Sequence, residues 1–290
     1  MAEFFNVLPP AEARAVWLAQ VAHRAGVELI APLEALGRVT AQPLLSPEAL
    51  PAFARSTVDG YAVRAADTFG ASDSLPAYLT VAGEVPMGQA ASVAVAKGQA
   101  VLIHTGGMIP PGADAVVMVE HTQLFGDGEI EVLRPVAPGE NVLQVGEDVV
   151  MGAEVLPAGH RIQPQDIGAL LALGLASEIA VVRRPRVCLF SSGDELVPPS
   201  TRDLKPGQIR DINSGTIASL CLQAGAAPEI RGILPDEAEA FYDALAAALP
   251  DADLLVVTAG SSVSVRDMTA RTINRLGAPG VLVHGVAVRP

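Results

Sequence analysis

The chain has 290 residues, 19 Lys and Arg against 32 Asp and Glu for a formal charge of −13, and an apolar half with only 18% charged residues. That length suits two or three domains, each able to bury its own core. Apolar stretches are broken by Gly, Pro or charge well short of the roughly 18 residues a membrane span needs, and an acidic chain without Lys/Arg clusters argues against nucleic-acid binding.

The first residues, Met1 to Val7, lack the basic and then apolar regions of a secretory signal, so a cytoplasmic location is expected. Pro9 and Pro10 open, and Gly26 follows, a run with helical apolar spacing, which predicts a helix over 10–25. Beyond Arg55 come short β-rich runs, Tyr78 to Val85, Ala100 to His104, Ala115 to Val119 and Ile130 to Leu133, separated by Gly-Gly, Pro-Pro-Gly and Gly-Asp-Gly turns. Residues 142–184 read as a return to an elongated scaffold with one short helix, Pro164 to Leu173, closed by Gly174.

From Arg186 strands and helices alternate: strand Val187 to Ser191, helix Ser214 to Ala224 with Ser214 as N-cap, and extended Glu229 to Leu234. Helix Asp236 to Leu249, strand Leu254 to Thr258, helix Val265 to Leu276 and strand Val281 to His284 complete the series. Such alternation implies a parallel sheet with crossovers, whose ligands sit outside the carboxyl ends of the strands. The expected fold class is therefore α/β and β-rich multidomain. It comprises an elongated connector (1–49 and 142–183), an inserted β-rich domain (50–141) and a parallel-sheet α/β domain (184–290).

Two strand ends carry candidate chemistry. One leads into Ser191-Ser192-Gly193-Asp194-Glu195, the other into Thr258-Ala259-Gly260-Ser261-Ser262-Val263-Ser264 ahead of a helix bearing Asp267. Small residues at a helix N-terminus let backbone N–H groups approach an anion. Nearby carboxylates then call for a divalent cation, and Mg²⁺ typically takes one or two of them plus phosphate oxygens. The bland alternative is an ordinary Gly/Ser turn. Neither Cys188 and Cys221, which read as reduced thiols in apolar segments, nor the five histidines have zinc-ligand spacing.

Longer motifs resemble a known family. Arg55-Ser56-Thr57-Val58-Asp59-Gly60-Tyr61-Ala62 and the stretch from Thr105-Gly106-Gly107-Met108 to Val117 are similar to distinctive segments of the molybdopterin molybdenumtransferases, the MoeA/gephyrin E-domain family. Asn141-Val142 with Gly146-Glu147-Asp148, Arg184 to Leu196, and Gly207-Gln208-Ile209-Arg210-Asp211-Ile212-Asn213-Ser214 continue the match in order. The resemblance implies an enzyme of molybdenum cofactor biosynthesis that takes adenylylated molybdopterin and molybdate, releases AMP and depends on Mg²⁺. It further implies an elongated homodimer whose site is shared between subunits. Asp59 and Asp148 would face Glu195, Asp211 and Asp267 of the partner as catalytic carboxylates, the last three being candidate Mg²⁺ ligands. Thr105, Ser192, Gly193, Gly260, Ser261, Ser262, Ser264 and Arg289 would contact the substrate.

Each acid also has a structural explanation. Asp59 before Gly60 suits a turn, Asp148 a solvated loop, Asp211 a loop closure ahead of a helix, and Asp267 a first helical turn favoured by the dipole. The glycines after Thr105 read as shape more than chemistry. Two departures from the family pattern stand out. Ser261 and Arg266 replace usual glycines, and the chain stops at Val288-Arg289-Pro290 where the family continues, so an incomplete third domain is expected, with Arg289 where Lys is usual. A non-catalytic molybdopterin-binding or scaffold protein is the competing reading. A nucleotide hydrolase sharing the α/β module is disfavoured by the Asp59 and Thr105 motifs.

Overall fold

The structure, a computed structural model, describes residues 7–21, 24–258 and 263–288, with side chains in the last range from Met268 onward. The chain forms two compact units, one of Ala31–Glu34 and Gln42–Ile179, the other of Met1–Ile30, Ala35–Ala41 and Ala180–Pro290. Helix α1 spans Pro10–Gln20, with Pro at its first position and Glu12 in the first turn, both suited to a helix start. It stops short of the Ala25 expected from sequence, because the β-branched Val21 is already extended at φ −78° and ψ 94°.

The core of the 42–179 unit is a six-stranded sheet. Its strands are β1 (Gly60–Val63), β2 (Ala77–Val85), β3 (Gln99–Ile103), β4 (Ala115–Met118), β5 (Thr122–Phe125) and β6 (Glu129–Val132), in the spatial order β4-β1-β3-β2-β6-β5. All neighbours are antiparallel except β2 and β3. Alternate residues feed two cores. Tyr61, Val63, Ala115 and Val117 join Leu79, Ile130 and Val132 on one, while Ala62 and Val116 join Val85, Val101 and Ile103 on the other. With both faces covered, the central strands are apolar runs without polar alternation. Helix α2 (Pro164–Ala172) starts with a reciprocal cap between Gln163 and Asp166 and is followed by Gly174 at φ +72°.

In the other unit β7 (Arg186–Ser192) lies between β8 (Ala227–Leu234) and β9 (Leu254–Thr258), all parallel. Helix α3 (Asn213–Ala224) links β7 to β8, α4 (Ala238–Ala248) links β8 to β9, and α5 (Val263–Leu276) follows. Val187 and Leu189 pack towards Ile217, Ala218 and Cys221 of α3, and Cys188 and Phe190 towards Phe241, Leu245 and Ala248 of α4. Alternating side chains of one strand thus serve both layers, the expected parallel α/β arrangement. Arg275 of α5 pairs with Glu239 at 2.8 Å and lies 3.7 Å over the Tyr242 ring, joining α5 to α4.

Two local expectations are corrected. Residues 281–284 form no strand; Val281 N–H donates to Asn274 Oδ1 at 2.9 Å, and Gly280 sits at φ +74°. Pairing begins only at Val286, which bridges Leu8 in parallel. β-Propensity alone did not make a strand where side-chain capping of the helix end holds the backbone. Ser214 is not the N-cap of α3, since the helix begins at Asn213 and the carboxylate of Asp211 accepts from Ser214 N–H at 3.2 Å. Among the described residues no helix is long and apolar enough to cross a membrane.

Gly60 shows how closely the six-stranded sheet is packed, for a Cβ there would lie 1.9 Å from the carbonyl oxygen of Val117. Gly60→Ala is expected to force β1 from β4 and to cost about 3 kcal/mol or more. Urea denaturation checks this, and an unchanged midpoint would contradict the packing described.

Candidate active site

At the carboxyl end of β7 the strand stays buried while its side chains become polar, with Ser191 0% and Ser192 2% exposed. Buried hydroxyls need partners. Ser191 Oγ donates to Asp211 Oδ2 at 2.7 Å and accepts from Thr258 Oγ1, at the end of β9, at 3.0 Å. Ser192 Oγ donates to Asp236 Oδ1 at 2.6 Å, just past β8, and Asp236 N–H lies 3.4 Å from Asp194 Oδ1. The three strand ends are thereby joined by side chains.

Asp211 is 5% exposed. Burial, acting alone, would raise its carboxyl pKa, but hydrogen bonds from the Ser214 and Ser191 hydroxyls and the Ser214 and Asn213 N–H groups together outweigh it and hold the pKa below 3.8. Both carboxylate oxygens are engaged, one on the strand and one on the helix start. Glu195 is exposed and folds back over Gly193, where an added Cβ would come within 2.8 Å of Oε2. A pocket of about 630 Å³ opens here, lined by Gly193, Asp194 and Asp211 together with Pro198, Pro199 and Leu234. Its size is that of a small-molecule site, mostly apolar with a few convergent polar groups.

The structure therefore brings together Ser192, Gly193, Glu195 and Asp211, and adds Asp236, which sequence reasoning had treated only as the start of a helix. The signal that would have found it is positional, since Asp236 follows the end of β8 at the same offset at which Asp194 follows the end of the parallel strand β7. Gly260, Ser261, Ser262 and Arg289 lie outside the described residues. Ser264 and Asp267 fall on the backbone of α5, with side chains outside the description.

In the other unit the candidate residues meet because distant motifs are stitched by backbone bonds. Ser56 N–H donates to Gly107 O at 2.9 Å, Gly106 N–H to Ser56 O at 2.8 Å, and Thr57 N–H to Asn141 O at 3.0 Å. Gly107 has no room for a side chain, because a Cβ would approach Ile103 Cγ1 to 2.8 Å. This places Thr105 over Asp59, whose Oδ1 accepts from Thr105 N–H at 2.8 Å and Thr105 Oγ1 at 3.2 Å. The Thr105 backbone N–H lowers the Asp59 pKa most, with smaller help from its hydroxyl and from His104. Asp59 thus stays ionised and acts as an acceptor. His104 stands beside it, with Nδ1 3.8 Å from Asp59 and Nε2 3.1 Å from Glu84. Asp148 lies 3.9 Å from Arg55, so the third motif is tied to the first.

Acids gathered at the strand ends of a parallel sheet, beside a pocket of small-molecule size and accompanied by a separate β-rich unit, define a multidomain α/β protein with a candidate ligand site where such sheets place one. The chain belongs to the MoeA family. Residues 8–174 match the model described as "MoeA N-terminal region (domain I and II)", and residues 188–290 match "Probable molybdopterin binding domain". It is 37% identical over 266 residues to a molybdopterin molybdenumtransferase of Bacillus subtilis, covering 91% of this chain and 61% of that protein. With one of Haemophilus influenzae it shares 35% identity, covering 96% of this chain and 67% of that protein. A solved molybdopterin biosynthesis MoeA protein from Pyrococcus horikoshii superimposes with a TM-score of 0.83 at 36% identity, covering 98% of this chain and 70% of the other. The chain spans about 61% of the length of the Bacillus subtilis relative.

The Asp211 network predicts a pH dependence. Its carboxyl pKa is depressed in the folded state, so the stabilisation is complete above the unfolded-state value near 3.8 and is lost as pH falls through the lower folded value. Asp211→Asn is expected to be about 1–3 kcal/mol less stable near neutral pH. The difference should close as pH drops below about 4. Denaturation midpoints measured across that range decide it, and a pH-independent gap would refute the role given to the ionised carboxylate.

Proposed function

We propose that this chain acts in molybdenum cofactor biosynthesis, inserting molybdate-derived molybdenum into adenylylated molybdopterin with release of AMP. The observation that carries the proposal is the pocket at the carboxyl ends of β7 and β8, with Asp194 and Asp211 in its lining, in a chain of the MoeA family. The apolar lining suits a ring system, and the strand-end groups suit a phosphorylated, polar tail. The net charge of −13 opposes an anionic substrate at long range, so local N–H and hydroxyl donors with a bound cation must supply the attraction.

Mg²⁺ belongs to this proposal. Among the described residues no three His, Cys, Asp or Glu side chains form a metal cage. An ion held by one or two carboxylates and the phosphate oxygens of a substrate needs none. Glu195, Asp211 and Asp267 remain the proposed ligands. Glu195 is the best placed of the described pair, because both oxygens of Asp211 already accept hydrogen bonds within the protein. When bound, the ion would neutralise charge on the leaving phosphate. The chain's own groups orient the reactants: Asp211 and Ser191 fix the start of α3, Ser192 holds Asp236 at the pocket end of β8, and Thr105 keeps Asp59 ionised.

The proposal includes a cytoplasmic homodimer with a shared site, Asp59 and Asp148 of one copy serving Glu195, Asp211 and Asp267 of another. It keeps the division into connector, β-rich insert and α/β domain. The experiment is molybdate-dependent AMP release from adenylylated molybdopterin in the presence of Mg²⁺. Asp59→Asn and Asp236→Asn are each expected to lower turnover by about a hundredfold or more while leaving thermal melting nearly unchanged. Mixing the Asp59→Asn protein with an Asp236→Asn protein should restore part of the activity if sites are shared. Wild-type turnover in either single variant sinks the site assignment, and molybdopterin binding without AMP release by the parent would make the protein a binder.

A further inference from the structure

The 198–208 segment lies in the α/β unit, in sequence between two proposed site residues, Glu195 and Asp211. Leu196–Val197 pairs in parallel with Ile209–Arg210, Ile209 N–H donates to Glu195 O at 2.9 Å, and Asp211 N–H donates to Val197 O at 3.0 Å. Between these rungs nearly every residue is exposed, and Pro198 and Pro199 contribute to the pocket lining. Hydrophobic burial holds little of it in place, since even Leu204 is 41% exposed. Its own hydrogen bonds are short-range: Thr201 N–H to Pro198 O at 3.0 Å, and a turn in which Gln208 N–H donates to Lys205 O and Lys205 N–H to Gln208 Oε1, each at 3.0 Å.

Arg210 supplies the longer connection. Its Nε donates to Thr201 O at 2.8 Å and its Nη2 to Arg202 O at 2.7 Å, nine and eight residues back along the chain. A guanidinium presents several donors in a rigid plane, so one side chain can address two successive carbonyls at once. The fork is directed at the backbone of this segment, and the residue next to it, Asp211, lines the pocket.

We infer that Arg210 is a positioning residue for the pocket, holding the 198–208 segment so that Pro198 and Pro199 stand where a ring-bearing ligand can pack against them. The ligand side of this inference rests on the proposed reading of the pocket as a molybdopterin site; the tether does not. Arg210 touches no reacting atom in this scheme. Losing it removes two hydrogen bonds from an exposed segment and returns the conformational entropy that they had restricted.

Amide exchange and molybdopterin affinity, measured on the full chain, test the two halves separately. In Arg210→Ala, exchange across 198–208 should quicken about tenfold, with β7 and α3 protected as in the parent. Molybdopterin binding should weaken by about tenfold, the scale of one net hydrogen bond. Arg210→Lys keeps the charge but not the fork, and should behave like Arg210→Ala. Parent-like exchange in Arg210→Ala overturns the tether. A loosened segment with parent-like affinity overturns its link to the pocket, and parent-like affinity in Arg210→Lys alone shows that charge, not placement, is what matters. If the parent itself does not bind molybdopterin, the reading of the pocket fails while exchange still decides the tether.

Discussion

A hydroxyl cannot be buried without a partner at little cost, and Ser191 and Ser192 end a strand whose residues are buried from Val187 onward. This constraint organises the α/β unit. Ser191 reaches Asp211 and receives Thr258, while Ser192 reaches Asp236, so each neighbouring strand and the start of α3 are fixed by the same two residues. The apolar part of β7 makes the strand central, and its polar end then obliges acids to gather where strands terminate. Stability and site geometry come from one network, which is why Asp211 has a structural and a chemical reading at once.

The β-rich unit solves a different problem. Its candidate acid, Asp59, is exposed and gains its environment from backbone, chiefly Thr105 N–H. That bond exists only because the segments around Ser56, Gly107 and Asn141 come within hydrogen-bond distance of one another. Close approach requires glycine where a Cβ would meet a carbonyl oxygen, as at Gly60, or a neighbouring side chain, as at Gly107. The glycines that mark the motifs are thus conditions for placing Asp59 and Thr105, and carry no chemistry of their own.

Asp211 and Asp59 are both held below the usual carboxylate range, Asp211 by hydroxyl and N–H donors that outweigh its burial, and Asp59 chiefly by the Thr105 N–H, with smaller help from the Thr105 hydroxyl and from His104. On the proposed function, the charge of these carboxylates would be available to a cation bound together with the substrate. At the pocket end of β8, Asp236 accepts from the Ser192 hydroxyl and remains exposed.

Much was legible in the sequence because it depends on local periodicity or on motif identity. Apolar runs of strand length, alternating with helical spacing, specify a parallel α/β unit, and strand Leu254–Thr258 has the bounds expected for it. The motifs around Asp59, Thr105 and Asp211 pointed to the MoeA family, to which the chain belongs. Tertiary structure alone decided the rest. Asp236 joins the candidate site through Ser192, a contact across 44 residues that no spacing rule anticipates. Ser214 looks like a helix cap, yet α3 begins one residue before it with Ile212 at the cap position, and the Ser214 N–H donates to Asp211, itself anchored by Ser191 on the strand. Residues 281–284 have strand composition, yet the Asn274 side chain captures the backbone of Val281 and no pairing forms there. Sequence reports what each segment prefers, whereas partner choice depends on which groups are buried together.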